Sequence, residues 1–186
     1  MKVLSICGSY RKKGNTAALI ETLESEIKKA TIPDMKMKEL SLSDLEMDPC
    51  HACLKCKKKG YCVVSDDFSK VSSQLLKSDV IILGSPVYFS DVSSQVKTLI
   101  DRTLSLWHTR QLKGKKVILA ATCNATGTEH TIETLKNWAN GHEMEVISTI
   151  EGKGEKRSDV LKDEKVIAAV KNSVEALQKM GTPEGT

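Results

Sequence analysis

Four cysteines, Cys50, Cys53, Cys56 and Cys62, fall within thirteen residues in the pattern C-x2-C-x2-C-x5-C. Three thiolates at two-residue intervals can wrap one side of a cubane, each ligating a different iron, and a fourth arriving a few residues later closes the set. Compact ferredoxin motifs send their fourth cysteine to another cluster, but this chain has no second set, so Cys62 is the simplest fourth ligand. Zinc also accepts four thiolates, usually from paired knuckles separated by a longer loop. Free or redox-switching thiols are the third alternative. The spacing favours a [4Fe-4S] cluster over zinc, and zinc over free thiols. Once four thiolates complete a set, His51 reads as a surface residue. Lys55, Lys57, Lys58 and Lys59 either form an ordinary solvated loop or offset a negative cluster and guide an acidic donor.

The chain that carries this motif has 186 residues, the size of one domain able to bury a core without disulfides. Residues 1–186 are therefore expected to form a single domain. No apolar stretch at the N-terminus ends in small residues as an export signal does, and no run approaches the roughly 20 apolar residues of a membrane span. The expectation is a cytoplasmic protein with reduced thiols. Net charge is +4 from 28 basic and 24 acidic residues, too small an excess for a dedicated nucleic-acid binder.

Val3-Leu4-Ser5-Ile6-Cys7 reads as a buried strand, followed by Gly8-Ser9 and a helical pattern beginning after Asn15-Thr16. Further strands are expected over residues 35–42, 80–83, 116–121 and 143–150. Helices are expected over 67–77, 92–106, 128–140 and 159–180, with residues 181–186 as a frayed tail. Strands alternating with helices imply crossover connections and a mostly parallel sheet. The expected fold is α/β, a flavodoxin-like doubly wound parallel sheet of five strands in the order 2-1-3-4-5. The cysteines fall in residues 44–65, an overlong connection and so an insertion.

In such a sheet ligands sit beyond the carboxyl ends of the strands, where the loops 8–16, 85–91 and 122–127 lie. The first loop, Gly8-Ser9-Tyr10-Arg11-Lys12-Lys13-Gly14-Asn15-Thr16, opens a helix and so offers unpaired N–H groups to an anion. A monophosphate fits this loop, with Ser9, Asn15 and Thr16 adding hydrogen bonds and Arg11 adding charge. The patterns of triphosphate and dinucleotide loops are both missing. Gly84-Ser85-Pro86-Val87-Tyr88-Phe89 can hydrogen-bond the polar edge of an isoalloxazine ring, with Tyr88 and Phe89 beside it. Thr122-Cys123-Asn124-Ala125-Thr126-Gly127 closes the third side, and Cys123 reads as a small buried hydrophobe.

With these motifs the sequence resembles the NAD(P)H-dependent FMN reductase superfamily of flavodoxin-like proteins. The resemblance rests on Gly8-Ser9-x-Arg11-x-x-Gly14-Asn15-Thr16, on residues 84–89, and on Lys97-x-x-Ile100-Asp101-Arg102. It implies that Ser9, Arg11, Asn15 and Thr16 contact the FMN phosphate, and that Pro86, Val87, Tyr88 and Phe89 contact the ring. Gly14, Cys123, Asn124 and Gly127 complete the expected FMN site. Lys97, Asp101 and Arg102 take a role in the site or dimer face or, equally, form a salt-bridge set on one helix. The cysteine insertion is similar to that of the iron–sulfur flavoproteins, which carry one [4Fe-4S] cluster beside FMN. That resemblance implies a homodimer or homotetramer passing electrons from a ferredoxin-like donor, through cluster and FMN, to a small-molecule or protein acceptor. The rival reading is an NAD(P)H-dependent FMN or quinone reductase whose cysteines bind structural zinc or form a thiol loop. No side-chain acid, base or nucleophile is needed, because the flavin supplies the chemistry.

Overall fold

The structure is a computed structural model that describes residues 1–181. Residues 182–186 of the expected tail lie outside the described residues. The strands are β1 (Lys2–Cys7), β2 (Lys36–Ser41), β3 (Val80–Tyr88), β4 (Asp91–Val92), β5 (Lys116–Cys123) and β6 (Glu145–Lys153). The helices are α1 (Asn15–Lys29), α2 (Lys55–Lys59), α3 (Phe68–Lys77), α4 (Ser94–Arg102), α5 (Leu104–Trp107), α6 (Thr128–Gly141) and α7 (Glu164–Gly181). Five strands pair in parallel in the order β2-β1-β3-β5-β6, and the short β4 pairs antiparallel with β3. Numbered without β4, this is the expected order 2-1-3-4-5.

Alternation along each strand divides the interior in two, because successive side chains leave opposite faces of a sheet. Leu4, Ile6, Ile81, Leu83, Val117 and Leu119 pack with Phe68, Val71 and Leu75 of α3, Val96 and Leu99 of α4, and Ile132 and Leu135 of α6. Val3, Val80, Ile82, Ile118 and Ile150 pack instead with Leu19, Leu23 and Ile27 of α1 and Val166, Val170 and Leu177 of α7. Such burial on both faces explains why Val80-Ile81-Ile82-Leu83 is a continuous apolar run while the edge strand β2 is largely polar.

Two expected helices are shorter than their apolar patterns. The pattern over 92–106 is split into β4, α4 and α5, because the Ser93 hydroxyl caps α4 by accepting from the Val96 N–H. The pattern over 159–180 begins with a 3-10 turn, Asp159–Lys162; α7 starts only after Asp163, whose carboxylate accepts from the Lys165 N–H. Among the described residues no helix is long and apolar enough to cross a membrane.

Candidate functional site

Four strands of the parallel sheet deliver their carboxyl-terminal or following residues to one cleft of about 330 Å³. Ser9, Arg11, Lys13, Gly14, Asn15 and Thr16 come from the end of β1 and the start of α1, and Pro86, Val87 and Tyr88 from β3. Thr122, Cys123 and Asn124 come from β5, and Gly154, Glu155 and Arg157 from beyond β6. The loop after β1 is folded by its own side chains. Ser9 Oγ accepts from the Arg11 N–H at 3.1 Å, and the Gly14 N–H donates to the Arg11 carbonyl at 3.0 Å. Gly14 occupies the N-cap of α1, and neither a side-chain cap nor an acidic residue in the first turn competes for the helix's leading N–H groups. That end of the helix thus remains a site for an anion.

The expected phosphate ligands divide into two kinds. Arg11 is exposed at the cleft with Lys13 and Arg157, whereas Lys12 is turned away and pairs with Asp44 at 2.5 Å. Asn15 and Thr16 spend side-chain bonds on architecture. Asn15 Nδ2 donates to the Gly154 carbonyl at 2.6 Å, and Thr16 Oγ1 shares a buried 2.6 Å hydrogen bond with Thr122 Oγ1. Cys123 is buried, and its carbonyl accepts from the Gly154 N–H at 2.9 Å.

Two of the expected FMN-site residues lie outside the lining of the cleft. Phe89 and Ser90 form the two-residue turn between β3 and β4, with φ of 48° and 65°, and the Phe89 ring is fully exposed. Gly127 precedes α6 at φ 101°, where a Cβ would stand 2.8 Å from Val87 Cγ1 and 3.0 Å from Ser90 Cα. It needs to be glycine so that α6 can begin against the β3–β4 hairpin. The hairpin in turn carries Val87 and Tyr88 to the cleft.

The cysteine segment is closed at its neck. Asp66 Oδ2 accepts from the Asp48 N–H at 2.9 Å, Asp67 Oδ2 accepts from the Glu46 N–H at 3.0 Å, and the Asp67 N–H returns a bond to the Glu46 carbonyl at 3.0 Å. Between these anchors the backbone is bent by left-handed residues at Ala52, Leu54 and Gly60, flanking the single turn of α2. Cys50, Cys53, Cys56 and Cys62, all free thiols, line one small cavity with Arg102, Leu104 and Ser105. Burial pushes the Cys56 thiol above its ordinary value, and the charges of Cys62, Cys50 and Cys53 push it further. The four thiols face one shared space, a donor set that a [4Fe-4S] cluster or a zinc ion takes.

Comparison with known proteins decides the family. Residues 1–154 match the model of the NADPH-dependent FMN reductases. Over 150 residues the sequence is 39% identical to an iron–sulfur flavoprotein of Methanocaldococcus jannaschii, covering 79% of this chain and 76% of that protein. The chain belongs to the NADPH-dependent FMN reductase family and to its iron–sulfur flavoproteins. A second member, from Methanosarcina thermophila, is 29% identical over 150 residues, covering 79% of this chain and 77% of the other. Among solved structures, the apo form of an NADH:FMN oxidoreductase superposes with a TM-score of 0.73 at 15% identity, over 98% of this chain and 91% of that one. An archaeal flavodoxin superposes with a TM-score of 0.63 at 14% identity, over 98% and 100% of the two chains. These two share the fold.

In this family member several site residues escape motif reading. Gly154, Glu155 and Arg157 belong to no motif, yet they follow β6 at the same sheet end as the other loops, and the strand-end rule applies to them equally. Arg102 does belong to a motif, Lys97-x-x-Ile100-Asp101-Arg102, and the structure divides that set. Lys97 and Asp101 form the expected exposed pair at 2.6 Å, while Arg102 leaves that surface, is wholly buried and joins the cysteine cavity.

Proposed function

We propose that the chain is an electron-transfer iron–sulfur flavoprotein, with FMN in the cleft at the strand ends and a [4Fe-4S] cluster held by Cys50, Cys53, Cys56 and Cys62. The observation that carries this reading is the lining of one cavity by all four cysteines, separate from a cleft that already has what a flavin mononucleotide requires. In the cleft, the uncapped start of α1 with Arg11, Lys13 and Arg157 would hold the phosphate, by backbone N–H groups and positive charge. Pro86, Val87, Tyr88, Cys123 and Asn124 would bound the rest of the flavin. Asn15, Thr16 and Gly127 would act at one remove, by fixing the loops that make the walls.

When bound, FMN supplies chemistry that accommodates one- and two-electron steps, so the protein's own work is to bind, orient and tune. The lysines of α2 flank the cysteine cavity and favour an acidic, ferredoxin-like donor. The acceptor is a small molecule or a second protein reached from the flavin side. Exposed Leu54 and Tyr61 on the cysteine segment and Phe89 on the hairpin suit burial between copies of the chain in a homodimer or homotetramer.

Anaerobic purification followed by iron, sulfide, zinc and flavin analysis tests the reading. About four irons with labile sulfide and one FMN per chain are expected, as one cubane and one flavin require. Zinc without sulfide, together with rapid flavin bleaching by NAD(P)H, would establish the reductase reading instead.

A further inference from the structure

Arg102 ends α4 with a side chain that is wholly buried. Three of its contacts are spent on the neck of the cysteine segment. Nη1 donates to the Asp48 carbonyl at 2.6 Å and to Asp66 Oδ2, and Nη2 donates to Asp66 Oδ1 at 2.9 Å. The guanidinium lies over the Phe68 ring, 4.7 Å from its centroid, which keeps water from that face. Of the other two N–H donors, the one on Nε is buried with no protein partner, an expensive arrangement for an N–H on a charged group. Arg102 also forms part of the cavity wall that carries the four cysteines.

We propose that Arg102 is the positioning and tuning residue of the cysteine-bound cluster: it clasps the neck of residues 48–66 and presents a fixed positive charge and a spare N–H donor to the cluster's sulfurs. The inference rests on the reading of the cysteines as cluster ligands. A guanidinium cannot shed its proton in a protein, so the charge persists at every working pH. One-electron reduction adds negative charge to the cluster, and both a nearby cation and a hydrogen bond to sulfur favour the reduced state. Low local dielectric makes the effect larger than an exposed lysine could exert. Asp66 acts with the opposite sign, since it partly cancels the cation.

The two partners of one ion pair therefore tune in opposite directions, which a merely structural clasp would not do. The test is a redox titration of the anaerobically purified holoprotein, with the reduced cluster read by electron paramagnetic resonance and iron and sulfide measured on the same samples. Arg102→Gln is expected to make the cluster harder to reduce by about tenfold in the one-electron equilibrium, about 59 mV more negative. Asp66→Asn is expected to shift the midpoint in the positive direction. Opposite shifts support the proposal; no shift in either variant, or shifts of the same sign, overturn it. If Arg102→Gln does not keep its cluster, Asp66→Asn decides alone, a positive shift supporting the proposal and any other result overturning it. Wild-type protein with zinc and no labile sulfide overturns the relay reading and this inference together. A wild-type cluster whose potential neither variant moves overturns this inference alone.

Discussion

Asn15 and Gly154 lie 139 residues apart and are joined by a 2.6 Å hydrogen bond from the Asn15 amide to the Gly154 carbonyl, inside the wall of the cleft. Asn15 Oδ1 also accepts from the Val160 N–H, at 3.4 Å. One side chain thus fastens the start of α1 to the connection after β6. Asn15→Ala removes both bonds and frees the segment that carries Arg157. FMN affinity is expected to fall about tenfold, the scale of a lost hydrogen bond of about 1 kcal/mol and a loosened cation. Flavin fluorescence titration of the apoprotein measures the change, and iron content should stay at the wild-type level.

Cys56→Ser is expected to abolish iron and labile sulfide while leaving FMN bound, because its cavity shares no lining residue with the cleft. Metal analysis and the flavin absorption band of the same sample test this. Loss of both cofactors would mean that the two regions fold as a unit.

The Asp66–Arg102 pair also bears on stability. Asp66→Ala leaves a buried guanidinium without its carboxylate, at a cost of about 3–5 kcal/mol, and denaturant midpoints should show it. Burial pushes the Asp66 carboxyl up, but Arg102 and the N–H groups of Asp48 and Phe68 outweigh this and hold it below its ordinary value. A depressed carboxyl contributes fully above its unfolded value, and the contribution is lost as pH falls through the folded one. Acid should therefore open the neck of the cysteine segment, visible as loss of cluster absorbance at acidic pH, and Asp66→Asn should flatten that response.

His142 supplies a second pH dependence. Thr103 Oγ1 donates to the Ile100 carbonyl and accepts from Trp138 Nε1, so His142 Nε2, 3.0 Å away, must carry the hydrogen and donate to it. Nδ1 is buried without a partner, and burial lowers the imidazole to about 4. The unfolded chain binds this proton near pH 6.5 and the folded one does not. Stability is thus full above about pH 6.5 and declines towards pH 4, by about 3 kcal/mol if the shift is expressed entirely. Urea unfolding of wild-type and His142→Asn protein at pH 7.5 and 5 should show the decline only where histidine is present.

Much of the fold and of the cleft was legible in the sequence because the signals are local. Apolar runs such as Val80-Ile81-Ile82-Leu83 mark strands buried on both faces, and loops at their carboxyl ends mark the cleft. The illegible parts depend on distant partners. Lys97, Asp101 and Arg102 look alike as charges on one helix, and only the packing of α4 against Asp66 and Phe68 separates a surface pair from a buried cation. Asn15 and Thr16 have the chemistry of phosphate ligands, yet the crossing of the chain beside them directs their side chains to Gly154 and Thr122. Phe89 sits at a hairpin tip with its ring exposed and outside the lining of the cleft, a place set by the pairing of β3 with β4 and not by its own motif.

Helix α4 runs from the start of the loop after β1 to the cysteine cavity. Its capping residue Ser93 donates to the Gly8 carbonyl at 2.8 Å, and a Cβ on Gly8 would come within 2.1 Å of Val96 Cγ2, so the amino end is clamped beneath the cleft; Arg102 closes the other end. Nine residues at 1.5 Å each make a rod of about 13 Å. The spacing between the Gly8 carbonyl and the Arg102 guanidinium is then a machined gauge rather than a loop's average. One residue inserted into that rod would swing Arg102 about 100° around the axis, unlatching the cysteine segment while every strand of the sheet kept its place.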